Sequence, residues 1–176
     1  MAISLRPMTV ADFPDVVAWL AEPHVKRWWQ LDYDLAAVTA KYGPRLRGEE
    51  PTHMLVIVDD GASLGLAQWY RWDDYDADRD NYRIGFGELG MDYAIGALPA
   101  CGRGAGTQVV SLLLDEMRGV HPGGTPVSVT PQQANVASRR VLEKNGFAHI
   151  GTHQGAQLAG HAPEGPVAVY RRRLEE

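Results

Sequence analysis

Three glycines alternate in Pro99-Ala-Cys-Gly-Arg-Gly-Ala-Gly-Thr107, directly ahead of a stretch where Val109, Val110, Leu112, Leu113, Leu114 and Met117 recur at helical spacing. A turn of this kind that opens a helix presents unpaired backbone N–H groups and the positive end of the helix dipole, which suits an anion. Gly102, Gly104 and Gly106 let the backbone close around a phosphate without Cβ interference. With Arg103, Ala105 and Thr107 between and after them, they form a candidate pyrophosphate cradle. The spacing meets neither the dinucleotide fingerprint nor the Walker A pattern, so a plain turn and helix start is the competing reading.

A second group of residues suits a cation. Asp73-Asp-Tyr-Asp-Ala-Asp-Arg-Asp80 carries five aspartates, with Trp72, Tyr75 and Tyr82 interleaved, and Glu88 and Asp92 follow. Clustered carboxylates attract and steer cations, and flat aromatic faces can cover the apolar parts of an organic one. The alternative is a solvated acidic loop. Six histidines lie scattered without metal-ligand spacing, so no metal is expected, and the single Cys101 excludes an internal disulfide framework.

The elements that would hold these residues can be read from periodicity and punctuation. Residues 3–7 read as a strand. Thr9 and Asp12 start a helix carrying Phe13, Val16, Val17 and Leu20, which Glu22-Pro23-His24 ends. Asp34 caps a second helix through Leu46, with Pro44 disturbing its last turn. Met54–Val58 and Leu64–Tyr70 flank Asp59-Asp60-Gly61 as a hairpin. Trp72–Asn81 reads as a polar loop, and Arg83–Ile95 as a long strand leading to the glycines. A helix then runs to about Gly119, Pro126–Thr130 is a strand and Ala134–Asn145 a helix. Phe147–Thr152 and Val167–Arg173 are closing strands, with His153–Pro166 as the loop between them.

At 176 residues and 45% hydrophobic content, the expectation is one domain spanning 1–176 with a full core. No apolar run reaches membrane-spanning length, and the opening Met1-Ala-Ile-Ser leads straight into a strand, so a soluble, cytoplasmic protein with no membrane partner is expected. A net charge of −5 argues against nucleic acid as a partner.

The glycine turn is followed by Asn135-Val-Ala-Ser-Arg-Arg-Val-Leu-Glu-Lys-Asn-Gly-Phe147. Together the two motifs resemble the GNAT superfamily of acyl-CoA-dependent N-acetyltransferases, and the likeness runs through nearly the whole chain. It implies an α/β fold with one mixed, mostly antiparallel sheet of six to seven strands flanked by about four helices. It also implies acetyl-CoA as cofactor, held by the 102–107 loop, by Asn135 and by the backbone of Tyr93, Ala94 and Ile95, where an N–H can stabilise the developing oxyanion.

Within the superfamily, Leu5-Arg6-Pro7-Met8-Thr9, Trp19-Leu20, His24-Val25-Lys26-Arg27-Trp28-Trp29, Gly65-Leu66-Ala67-Gln68-Trp69-Tyr70 and Gly90-Met91-Asp92 resemble the aminoglycoside 6'-N-acetyltransferases. Asp92 stands ten residues before Gly102, as the strand aspartate does in that family. The resemblance implies a polycationic small-molecule substrate, bound by Trp28, Trp29, Tyr70, Asp76, Asp78, Glu88 and Asp92. Asp92 is the candidate catalytic residue, accepting the ammonium proton so that a neutral amine can attack; anchoring the substrate is its alternative role.

Leu142 stands where much of the superfamily has a tyrosine that protonates the leaving thiolate. Acetylation of a protein N-terminus, a polyamine or a siderophore side chain is the alternative activity, and a non-catalytic acyl-CoA sensor the alternative class. The chain is expected to be a monomer or a homodimer.

Overall fold

The computed structural model describes residues 2–29, 34–155 and 165–175. Strand β1 (Ile3–Pro7) pairs antiparallel with β2 (His53–Asp59), which turns back at Asp60-Gly61 into β3 (Ala62–Arg71). β3 pairs antiparallel with β4 (Leu89–Ile95), and β4 runs parallel to β5 (Pro126–Val129). Two antiparallel strands, β6 (Ala148–Gln154) and β7 (Pro166–Arg173), complete one seven-stranded sheet in the order β1-β2-β3-β4-β5-β7-β6. This is the mixed, mostly antiparallel sheet that the resemblance implies.

Alternating side chains give the sheet two working faces. Val56, Leu66 and Ala94 face one way and pack with Phe13, Val16 and Leu20 of α1 (Phe13–Ala21) and Val38 and Tyr42 of α3 (Leu35–Leu46). Leu55, Ile57, Leu89 and Met91 face the other way. They meet Val109, Leu113 and Met117 of α5 (Ala105–Arg118) and Leu142 of α6 (Val136–Lys144). Asp34 caps α3 by accepting the Ala37 N–H at 2.8 Å. Pro44 is accommodated within that helix, which continues to Leu46.

Three local expectations are corrected. Glu22 does end α1, but Pro23 opens a further helix, α2 (Pro23–Trp29), since proline suits a first helical turn. The Trp72–Asn81 stretch is not a loop: a 3-10 turn over Trp72–Asp74 leads into α4 (Asp76–Asn81). Its organiser is Arg79, buried at 6% exposure, whose guanidinium reaches Asp76 at 2.7 Å, Asp80 at 2.9 Å and Asp73 at 3.6 Å and lies over the Phe86 ring. The strand before the glycines starts at Leu89 rather than Arg83, because Arg83 and Gly87 take left-handed backbone angles and fold residues 83–87 into a turn.

With α2 and α4 added, the described residues form six α-helices rather than about four. None is long and apolar enough to cross a membrane. The loop expected over His153–Pro166 shrinks at both ends, to β6 at Gln154 and β7 at Pro166, and residues 156–164 lie outside the described residues.

Candidate active site

β4 and β5 are in register at one pair, Leu89 with Val127, and part beyond it. The gap opens into a cavity of about 370 Å³. Asp92 and Tyr93 of β4 line one side, and Val129–Gln132 with Asn135 and Ser138 line the other. Ladder parity determines what the exposed edge of β4 offers. Gly96 N–H bonds Leu64 O at 2.8 Å, so even-numbered residues of β4 pair with β3, and Met91, Tyr93 and Ile95 turn their N–H and C=O groups into the gap. Of the three backbone positions expected to meet the cofactor, Tyr93 and Ile95 face the gap. Ala94 points its backbone at β3 and its side chain into the core beside α1.

Asp92 sits half-buried on the face of the sheet that carries α3. Its Oδ2 accepts from Gln68 Nε2 at 2.7 Å, across the β3–β4 pair that sets the two residues opposite each other. Tyr70, on the same strand and face as Gln68, also favours the ionised Asp92. Burial holds the Asp92 carboxyl above the usual carboxylate range; Gln68, Arg45, Lys41 and Tyr70 oppose that rise. Asp78 of α4 also lines the cavity, and burial, then the nearby Asp92, raise its pKa. Burial and repulsion from Arg45 bring Lys41 down from 10.5 to about 8.

Aromatic side chains form much of the remaining lining. Trp28 and Trp29 of α2 line it, with Tyr70, Trp72, Tyr75 and Tyr82 in a chain of edge-to-face contacts at 5.0–6.4 Å. Trp72 Nε1 is anchored on Ser128 O at 3.0 Å, and Tyr75 shares a 2.7 Å hydrogen bond with Thr52. Gln132 donates to the Trp28 carbonyl and ties α2 to the far lip of the gap. His24 donates from Nε2 to the Ile95 carbonyl at 2.8 Å, tying α2 to the end of β4.

Two predicted substrate residues are not brought to this cavity. Asp76 is exposed on α4 and paired with Arg79. Glu88 precedes β4 and is turned into a buried cluster: Ser128 Oγ, Arg171 Nε at 3.0 Å and Gly85 N–H at 2.8 Å all donate to it. Glu88 keeps the parity of Asp92, since the Trp72 N–H still bonds its carbonyl at 3.0 Å, but its place four residues earlier carries it to the Ser128–Arg171 cluster instead of the cavity.

On the opposite face, the glycine turn has the form that a pyrophosphate needs. Gly102 and Gly104 take φ of 74° and 89°, and a Cβ on either would project into open space beside the loop. No side chain caps α5, so the N–H groups of its first turn remain available to an anion. At Gly106 a Cβ would come within 3.3 Å of Val141 and 3.5 Å of the Tyr93 ring, so glycine there allows α5 to close on α6 and β4. Arg103 is exposed beside the turn and Thr107 lies in the first turn of α5. Asn135 caps α6, its side chain accepting from the Ser138 N–H at 3.1 Å, and also lines the cavity. These residues fit acetyl-CoA. Leu142 is fully buried between α6 and the sheet and has no proton to give.

Sequence reasoning assigned no role to Lys41, Arg45 or Gln68. Gln68 stood within a matching motif, whereas Lys41 and Arg45 look like the polar face of any amphipathic helix. Among the described residues, no group of His, Cys, Asp and Glu is arranged to hold a metal ion.

A family model described as an acetyltransferase (GNAT) domain matches residues 9–154. Aminoglycoside N(6')-acetyltransferase type 1 of Klebsiella pneumoniae is 28% identical over 96% of this chain and 81% of its own. The lysine N-acyltransferase MbtK of Mycobacterium tuberculosis strain H37Rv is 24% identical over 94% of this chain and 79% of its own. A solved structure of AAC(6')-Ib in complex with ribostamycin and coenzyme A superposes with a TM-score of 0.83, at 24% identity, covering 98% of this chain and 94% of that one. The parted parallel strands and the uncapped glycine turn are thus those of a known architecture, and this chain belongs to the GNAT family of acetyltransferases. It is an acetyl-CoA-dependent N-acetyltransferase, with acetyl-CoA as its cofactor.

Proposed function

We propose that the protein acetylates a primary amine of a polycationic amino sugar, the 6'-amine of an aminoglycoside, with Asp92 accepting the ammonium proton. The observation that carries this reading is the position of Asp92 at the edge of the parted strands, facing an aromatic chamber. When bound, acetyl-CoA supplies the acetyl thioester that a neutral amine can attack. The 102–107 turn and Asn135 hold it, and Tyr93 and Ile95 offer backbone N–H donors in the gap. Burial raises the proton affinity of Asp92, which matches it better to taking a proton from an ammonium near neutral pH. Trp28, Trp29 and Tyr70 present flat faces to sugar rings, and Asp78 stands ready for a second ammonium.

A second reading has a specific observation behind it. Lys41 and Arg45 line the same chamber, so an acceptor carrying a carboxylate beside its amine, such as lysine or a siderophore side chain, also finds complementary charge. The relative named as a lysine N-acyltransferase supports it.

Release of the CoA thiol, measured against a panel of acceptors, separates the readings. The panel contains aminoglycosides with and without a free 6'-amine, spermidine, lysine and a basic peptide. Rapid release confined to 6'-amino compounds is expected. Release with lysine or the other amines alone would replace the aminoglycoside reading.

A further inference from the structure

Behind Asp92 lies a chain of hydrogen bonds with a fixed direction. Gln68, buried on β3, sets Nε2 at 2.7 Å from Asp92 Oδ2 and Oε1 at 2.8 Å from Arg45 NH1. Arg45 Nε continues the chain to Glu50 Oε2 at 3.1 Å. A guanidinium only donates, so the end of the Gln68 amide that faces Arg45 must be its oxygen. The end that faces Asp92 must then be the NH2, which favours a carboxylate over a carboxylic acid. Without Arg45 the amide is free to turn over, and an oxygen facing Asp92 favours the protonated acid instead. The Arg45 side chain is 10% exposed and lies over the Tyr42 ring, so α3 holds it in place.

We propose that Arg45 is a positioning residue for acyl transfer: by fixing the Gln68 amide it keeps Asp92 ionised and oriented, and so sets the pH at which the enzyme becomes active. The inference rests on Asp92 acting as the proton acceptor. The charged and titratable groups facing Asp92 are Lys41 and Arg45 from α3, Tyr70 from β3 and Asp78 from α4. Lys41 gives up its charge from about pH 8 upward, whereas an arginine stays cationic across the whole working range. Arg45 therefore stabilises the Asp92 anion at every pH the enzyme meets, directly by charge and indirectly through Gln68.

Four full-length variants test this: Arg45→Met, Arg45→Lys, Gln68→Glu and Asp92→Asn. The readouts are the pH profile of kcat/KM and the Asp92 carboxyl titration, followed by NMR in the protein without ligands. Acetyl-CoA affinity and far-UV circular dichroism serve as controls for the fold. Arg45→Met is expected to move the acidic limb and the Asp92 titration upward together by about one pH unit. At pH values below the limb this is roughly a tenfold loss of kcat/KM. Arg45→Lys, which also only donates, should restore most of the limb.

Gln68→Glu keeps the shape and the Arg45 partner but turns an oxygen toward Asp92. It should raise the limb as well, by its own charge together with the reversed oxygen. If Arg45→Met does not fold, Arg45→Gln takes its place, since an amide has neither the charge nor the donor-only character that fixes Gln68. An Asp92 titration unmoved in folded Arg45→Met, or in Arg45→Gln where that variant stands in for it, would overturn the proposal. Wild-type turnover in Asp92→Asn would overturn it differently, by removing Asp92 as proton acceptor whatever its titration does.

Discussion

Replacing Asp12 with Asn should destabilise the fold in a way that disappears in acid. Asp12 is buried at 7% exposure at the entry to α1, where Arg6 meets it with two bonds at 2.6 and 3.0 Å and the Thr9 N–H donates at 2.8 Å. Chiefly through the Arg6 bonds, its pKa falls from 3.8 to about 2. At about 1.4 kcal/mol per pH unit, that fall corresponds to roughly 2.5 kcal/mol. Arg6 is 41% exposed, so solvent screening reduces the figure to about 1–2 kcal/mol.

The native pKa lies below the unfolded one, so this stability is fully present above pH 3.8 and is lost as the pH drops through about 2. Urea unfolding, followed by the fluorescence of the buried tryptophans, should place Asp12→Asn about 1–2 kcal/mol below wild type at pH 7 and at pH 5. The gap should narrow steadily from pH 4 toward pH 2. A gap of constant size across that range would refute the ion-pair reasoning and leave lost hydrogen bonding as the cause. No gap at pH 7 would remove Asp12 from the stability of α1 altogether.

Further tests concern the site. Asp92→Asn should lower kcat by about 10²–10⁴-fold while acetyl-CoA affinity, measured by fluorescence titration, stays unchanged. Gly104→Ala, at φ 89°, should destabilise the fold by about 1–2 kcal/mol and weaken acetyl-CoA, read as a smaller thermal shift on adding it. Glu88→Ala leaves Arg171 without its buried partner and should cost about 3 kcal/mol in a denaturant titration. In wild type, the acidic limb of kcat/KM should lie above the ordinary carboxylate range, because burial dominates the Asp92 titration; a limb at the ordinary value would contradict that.

The parts of this protein that follow from local rules were readable from the chain. The hairpin at Asp60-Gly61, the Asp34 cap and the glycine turn into α5 each depend on residues a few positions apart. Contacts that join distant segments were not readable in the same way. Arg79 turns an apparent acidic loop into α4 by gathering Asp73, Asp76 and Asp80, and a run of alternating charges does not reveal which of them meet. Glu88 was expected on the sheet face of Asp92 from its place four residues earlier and it keeps that parity, but the distant partners Ser128 and Arg171 that draw it into a buried cluster leave no local mark in the sequence. Arg45 lies 23 residues from Gln68 and 47 from Asp92, a relation that only the packing of α3 on the sheet reveals.

The backbone of the sheet is continuous across β4 and β5 only near Leu89 and Val127, which makes that point a pivot between two half-sheets. The side chains around it act as a clasp. Glu88 comes just before β4, Ser128 belongs to β5 and Arg171 to β7, and Trp72 adds its own bond to the Ser128 carbonyl. The two halves are therefore tied at the apex by a buried ionic knot whose members Glu88, Ser128 and Arg171 lie outside the cavity lining. Loosening that knot is expected to alter both faces of the opening at once, whereas a change at Trp28 or at Gly104 is expected to alter one face alone.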